Sequence, residues 1–127
     1  MNTGTLYQLD TNILVHYVRA SPVWRHVRDT YSALTIEPIP QICTVSEGEI
    51  RSLAVQWRWA DRKLDPMEFA LGYFTMQTIE TPKVMRAYAA IDAYCESLGQ
   101  PMGKNDLWIA AAAAVAGPTL RDGYDAP

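Results

Sequence analysis

The sequence predicts a helix-rich α/β domain in which a short, mostly parallel sheet is covered by helices on both faces. Three observations predict it. Short apolar runs alternate with helix-like segments along nearly the whole chain. Hydrophobic residues make up 49% and charged residues 20%, the balance of a packed globular protein. A length of 127 residues is enough for a proper core and too little for two, so one domain over residues 1–127 is expected.

The elements follow in order. Leu6 to Leu9 reads as a first strand ending at Asp10, and Thr11-Asn12 start a helix that reaches about Arg19. Ser21-Pro22 open a second helix carrying Trp24, Val27, Tyr31 and Leu34 at helical spacing. Prolines 38 and 40 break that pattern, and Ile39 to Val45 reads as a buried strand. Ser46 and Glu49 have the spacing of a capping box, with Ile50, Leu53, Ala54 and Trp57 on one face of the helix that follows. Asp65-Pro66 start another helix that includes Phe69, Leu71, Tyr73 and Met76, and Thr78 to Glu80 make a brief strand. Thr81-Pro82 cap a helix over 82–98 in which Val84, Tyr88, Ile91, Cys95 and Leu98 alternate at steps of four and three, and Gly99 closes it. Asn105 and Asp106 precede a buried, alanine-rich helix over 107–116. Gly117-Pro118 stop it, and Thr119-Leu120 form a last short strand.

Composition excludes several classes. Cys43 and Cys95 are too few for a disulfide scaffold and lack metal-pair spacing, which points to reduced thiols. No basic segment followed by an apolar run opens the sequence, and the longest apolar stretch, Leu107 to Ala116, is half a membrane span. A cytoplasmic protein without a membrane segment is expected. The net charge of −3 is unlike that of a chain binding nucleic acid through its own basic surplus, although cations held by clustered carboxylates offset such a balance.

In open parallel sheets ligands collect beyond the carboxyl ends of the strands. Asp10 falls at the end of the first strand, Glu49 in the first turn after the second, Asp106 at the start of the alanine-rich helix, and Asp122 after the last strand. Carboxylates that share one rim repel unless protons or cations occupy it. An all-oxygen set suits Mg²⁺ or Mn²⁺, which activates water and stabilises charge on a phosphodiester. Each acid has a plainer reading too: Asp10 and Asp106 as helix caps, Glu49 as half of the Ser46 capping box. Placement at helix starts does not choose between the two.

Longer stretches do. Leu9-Asp10-Thr11-Asn12-Ile13-Leu14 resembles the opening strand and turn of PIN domains, including the VapC-type ribonuclease toxins. Cys43-Thr44-Val45-Ser46-Glu47-Gly48-Glu49-Ile50-Arg51-Ser52-Leu53-Ala54 is similar to their second block. Gly103-Lys104-Asn105-Asp106-Leu107-Trp108-Ile109-Ala110-Ala111 resembles the third, and the blocks stand in the family's order. The resemblance implies a three-layer α/β/α sandwich and a metal-dependent endoribonuclease. It implies Asp10 and Asp106 as metal ligands, with Glu49 completing the acidic site directly or through water. Asn12 and Asn105 would orient ligands or phosphate. An RNA substrate, a homodimer and a cognate antitoxin are implied as well.

The tail departs from the family pattern. VapC-like chains follow the Thr-Leu strand with a Thr-x-Asp-x-Asp-Phe type segment, whereas this chain reads Thr119-Leu120-Arg121-Asp122-Gly123-Tyr124-Asp125. Aligning Tyr124 with the usual Phe leaves Arg121 at the fourth acid, and a deletion places Asp122 there as a metal ligand. The altered tail, from about residue 118, motivates an alternative: a catalytically silent PIN fold that binds RNA or protein. An aspartyl-phosphate phosphatase is disfavoured because position 12, two residues after Asp10, is Asn and not an acid.

Other residues divide between site and packing. Arg51, Arg58 and Arg62 stand at steps of seven and four on the helix from Ser46, with Lys63 beside them and Lys104 next to Asn105; a solvated face is the default for such a row, and a phosphate-binding side is the alternative to test. His16 and His26 lack partners at ligand spacing, and Asp92 lies at the margin of an apolar face. Trp24, Trp57 and Trp108 read as core, and Trp59 as the tryptophan open to solvent.

Overall fold

The computed structural model describes residues 5–116 and 119–120. Four short strands, β1 (Gln8–Leu9), β2 (Gln41–Cys43), β3 (Thr75–Gln77) and β4 (Thr119–Leu120), form one sheet in the order β3-β2-β1-β4. All three pairings are parallel, with Gln8 opposite Gln41 and Thr119, Leu9 opposite Ile42 and Leu120, and Ile42 opposite Met76. The helices are α1 (Thr11–Val18), α2 (Pro22–Tyr31), α3 (Thr44–Gln56), α4 (Asp61–Tyr73), α5 (Pro82–Ser97) and α6 (Lys104–Ala116). Helix outweighs strand, as predicted, and no helix among the described residues is long and apolar enough to cross a membrane.

The two-residue alternation of strands separates the layers. Leu9 and Ile42 point to one face, where they pack with Ile13 and Leu14 of α1, Trp24 and Val27 of α2, Ile50 of α3 and Met67 of α4. Cys43 points to the other, against Ile109 and Ala112 of α6. Gln8 belongs to the same face as Cys43: its amide nitrogen donates to the Ile109 carbonyl at 2.9 Å. The small residues Ala111 and Ala112 are buried here, while Ala114 and Val115 are exposed, so α6 is buried along one stripe only. α5 packs on α6, with the Tyr88 and Trp108 rings 4.0 Å apart.

Helix ends follow their caps where the chain signals them. Ser21 accepts from Trp24 N and Thr81 from Val84 N, each with proline at the first helical position. α5 closes on Gly99 at φ +69°. Several boundaries differ from expectation. Ser46 is no N-cap: α3 begins at Thr44 without a side-chain cap, and Ser46 is buried within its first turn. α4 begins at Asp61, and Pro66 lies inside it. The backbone bond that Pro66 forgoes falls on the carbonyl of Arg62, an exposed residue. The third strand lies at Thr75–Gln77, not at 78–80, so Met76 leaves its predicted helix. α6 begins at Lys104, which places Asn105 and Asp106 in its first turn instead of before it.

The largest correction concerns the end of α3. Trp59 N donates to the Ala54 carbonyl at 3.0 Å and Arg58 N to the Val55 carbonyl at 3.2 Å, while Arg58 takes φ +53°. These are the paired bonds of a Schellman close, here with arginine in the left-handed position that glycine usually fills. The reversal turns Trp59 inward, 8% exposed, and leaves Trp57 outside at 46%, the opposite of the predicted assignment. It also divides Arg51, Arg58 and Arg62 among α3, a turn and α4, so they form no single helical row. Left-handed backbone costs a residue with a Cβ about 1–2 kcal/mol. Arg58→Gly is therefore expected to raise stability by about 0.5–1 kcal/mol in urea denaturation, less than the full strain because glycine also gains unfolded-state entropy.

Candidate active site

The sheet order sets the place of the site. β2 and β3 lie on one side of β1 and β4 on the other, so the chain switches direction at β1. A crevice forms beyond the carboxyl ends of strands at such a point. Asp10 directly follows β1, α3 directly follows β2, and α6 leads toward β4 with its N-terminus at the same rim. A cleft of about 880 Å³ opens there, lined among others by Asp10, Asn12, Glu49, Asn105 and Asp106.

Glu49 is the most firmly held of the acids. One carboxylate oxygen lies 2.5 Å from the Thr11 hydroxyl and the other accepts from Asn105 Nδ2 at 3.0 Å. The Thr11 oxygen is also 2.9 Å from the buried Ser46 hydroxyl. A hydroxyl has one proton, so the Thr11 proton goes to the carboxylate and Ser46 donates to Thr11. Three elements, α1, α3 and α6, are thereby tied at the floor and wall of the cleft. The donors to Glu49 are uncharged, which fixes the carboxylate without cancelling its charge.

Asp10 acts as the cap of α1, its Oδ1 accepting from Ile13 N at 3.0 Å, and it lines the cleft as well. The two readings of this residue are compatible, because the side chain that caps α1 also lines the cleft. Asp106 occupies the third position of α6, where the positive end of the helix favours a carboxylate. Asn12 and Asn105 line the same cleft.

The other candidates sit elsewhere. Arg51 pairs with Glu47 at 2.8 Å and with both oxygens of Glu68 at 2.7 and 3.0 Å, and it does not line the cleft. Asp122 lies outside the described residues. His16 contacts Ser21 at 2.9 Å, and Asp92 is half-buried on α5 away from the cleft lining. Burial pushes the Cys43 thiol above its usual range, which removes it as a nucleophile. Sequence reasoning missed Thr11 and Ser46. Their signal was present as two hydroxyl residues beside the acids, but both read as capping chemistry.

The donor set can be tested against a metal ion. Every candidate ligand in the cleft is an oxygen, from Asp10, Glu49 and Asp106, with no His or Cys in its lining. Among the described residues no three such groups stand close enough to enclose an ion. The all-oxygen lining fits Mg²⁺ or Mn²⁺, which need only one or two carboxylates beside water, and lacks the Cys and His donors of a zinc site.

The PIN-domain family model matches residues 7–120. No curated protein matches the chain by sequence. Among solved structures, VapBC2 from Rickettsia felis bound to a DNA fragment from their promoter aligns with a TM-score of 0.75 and 19% identity, covering 91% of this chain and 86% of that one. DNA-bound VapBC from Salmonella typhimurium aligns at 0.72 and 19% over the same shares. A toxin–antitoxin complex from Klebsiella pneumoniae aligns at 0.68 and 16%, covering 94% and 88%. At these identities the likeness is one of fold.

Proposed function

Because the chain belongs to the PIN-domain family, we propose that it is a metal-dependent endoribonuclease and the toxin of a toxin–antitoxin pair. One observation carries the reading: Asp10, Glu49 and Asp106, far apart in sequence, line a single cleft at the switch point of the sheet. Asp10 and Asp106 would hold Mg²⁺ or Mn²⁺, with Asp122 as a further ligand. Bound there, the ion lowers the pKa of water and offsets charge on the phosphodiester. Glu49, braced by Thr11 and Asn105, would accept a proton from the attacking water. Asn12 and Asn105 orient phosphate oxygens at the rim. Arg51 is no longer favoured for substrate, because its guanidinium is occupied by two glutamates.

The solved toxin–antitoxin complexes of like fold support an antitoxin as partner. A homodimer in the cytoplasm completes the proposal, and the exposed Tyr94 of α5 and Leu98 just after it are consistent with such a contact. The second reading, a silent RNA- or protein-binding PIN fold, draws on the lack of any enclosed three-acid group among the described residues. One experiment separates them. Purified protein is incubated with single-stranded RNA in Mn²⁺, in Mg²⁺ and in EDTA, with metal uptake followed by calorimetry. Cleavage that requires metal supports the nuclease. A folded protein that takes up metal yet leaves RNA intact, or takes up none, overturns it in favour of the silent fold.

A further inference from the structure

The cleft is acidic, and the chain as a whole carries −3, so it is the basic residues that need a place. Five of the eleven, Arg19, Arg25, Arg28, Arg62 and Lys63, converge on one hollow of about 600 Å³ at the other end of α1. They come from the end of α1, from α2 and from α4, and no Asp or Glu lines the hollow. Among the described residues Arg28 is the one of the five with an ion pair, the exposed contact with Asp29 at 2.9 Å. Among the described residues no carboxylate lies within ion-pair distance of Arg19, Arg25, Arg62 or Lys63. Asp29, outside the lining, is the carboxylate that also feels the charge of Arg25. A hollow lined by one sign of charge focuses its field and draws in anions.

Aromatic rings are interleaved with the charges. The Arg19 guanidinium lies 4.7 Å from the Trp57 ring centre, and Lys63 Nζ lies 6.0 Å from that of Trp59. Trp24 forms part of the wall and is braced edge-on by Tyr17 at 5.0 Å. Trp57 is the exposed ring of the group. Cations in a groove beside an exposed ring are the arrangement that holds single-stranded nucleic acid, phosphates by charge and bases by stacking. The eight residues of α1 separate this hollow from Asp10 by about 12 Å, at 1.5 Å per residue.

We propose that the Arg19/Arg25/Arg28/Arg62/Lys63 hollow is an RNA exosite. It grips backbone phosphates a few nucleotides from the bond presented to the acidic cleft. The inference rests on RNA being the substrate, and it resolves how an acidic protein holds a polyanion: attraction is concentrated at one end of α1 and hydrolysis at the other.

The test measures binding apart from cutting. A short fluorescein-labelled single-stranded RNA is titrated in EDTA, at several salt concentrations, with the parent and with Arg25→Gln/Arg62→Gln/Lys63→Gln. The variant is expected to bind about tenfold or more weakly, with the slope of log affinity against log salt reduced by about 2, near 0.7 for each lost contact. Lys83→Gln, an exposed cation on α5 that lines neither the hollow nor the cleft, is expected to keep the parent's slope. A triple variant that stays folded and binds RNA with the parent's affinity and slope overturns the exosite, including the case where the hollow instead takes an acidic peptide. Failure of the nuclease reading is distinguishable: metal then produces no cleavage, while the difference in salt slope persists.

Discussion

Replacing Asp106 by asparagine is expected to lower metal-dependent RNA cleavage on the order of 10³-fold while barely moving the melting temperature. The size follows from chemistry: loss of a carboxylate that positions an ion, and through it the attacking water, is worth about 4 kcal/mol of transition-state stabilisation. The small stability effect follows from placement. Asp106 is exposed in the first turn of α6, and among the described residues no hydrogen bond or ion pair engages its carboxylate. Only its favourable interaction with the helix N-terminus, about 0.3–1 kcal/mol, is lost. Asp92→Asn, a half-buried acid that does not line the cleft, is the control and is expected to cut like the parent. Measuring kcat/KM beside thermal unfolding separates the two effects. An Asp106→Asn variant that cleaves at the parental rate would remove Asp106 from the site.

Much of this arrangement was legible before any coordinates. The order of strands and helices, the burial of β2, the close of α5 on Gly99 and the convergence of Asp10, Glu49 and Asp106 on one rim all follow from local pattern and resemblance. The misreadings share a physical cause: the same residue types serve local and long-range bonds. Ser46 and Glu49 have capping-box spacing, yet their hydroxyl and carboxylate turn to Thr11 on another helix. Arg58 has no sequence mark of a left-handed residue, so α3 appeared to continue and both Trp57 and Trp59 were misplaced. Side chains that a linear reading scatters, such as Arg19 and Lys63, come together only when α1 and α4 pack. A hollow built from three elements has no spacing of its own.

Gln8 was read as one more member of an apolar-leaning strand, and the structure gives it a larger part. Its side chain is fully buried, donating to the Ile109 carbonyl of α6 and accepting from Gln41 Nε2 at 2.9 Å. The register explains the pair, because Gln8 sits directly opposite Gln41 in parallel strands and both side chains point toward α6. Gln8→Leu keeps the volume but leaves the buried Gln41 amide without that acceptor and frees α6 from β1. An orphaned buried donor costs about 1–3 kcal/mol, so a loss of about 2 kcal/mol is expected, seen as a fall of roughly 5–10 °C in melting temperature. Adding Gln41→Leu is expected to recover part of the loss, since no lone amide then remains in an apolar layer. The functional consequence is separate. Ile109 lies one helical turn from Asp106, so the Gln8 bond holds the α6 rim at a set distance from Asp10. The double variant is therefore expected to regain stability without regaining the parent's cleavage rate. Recovery of both together would show that the buried amides serve only packing, and that the acids find their places without them.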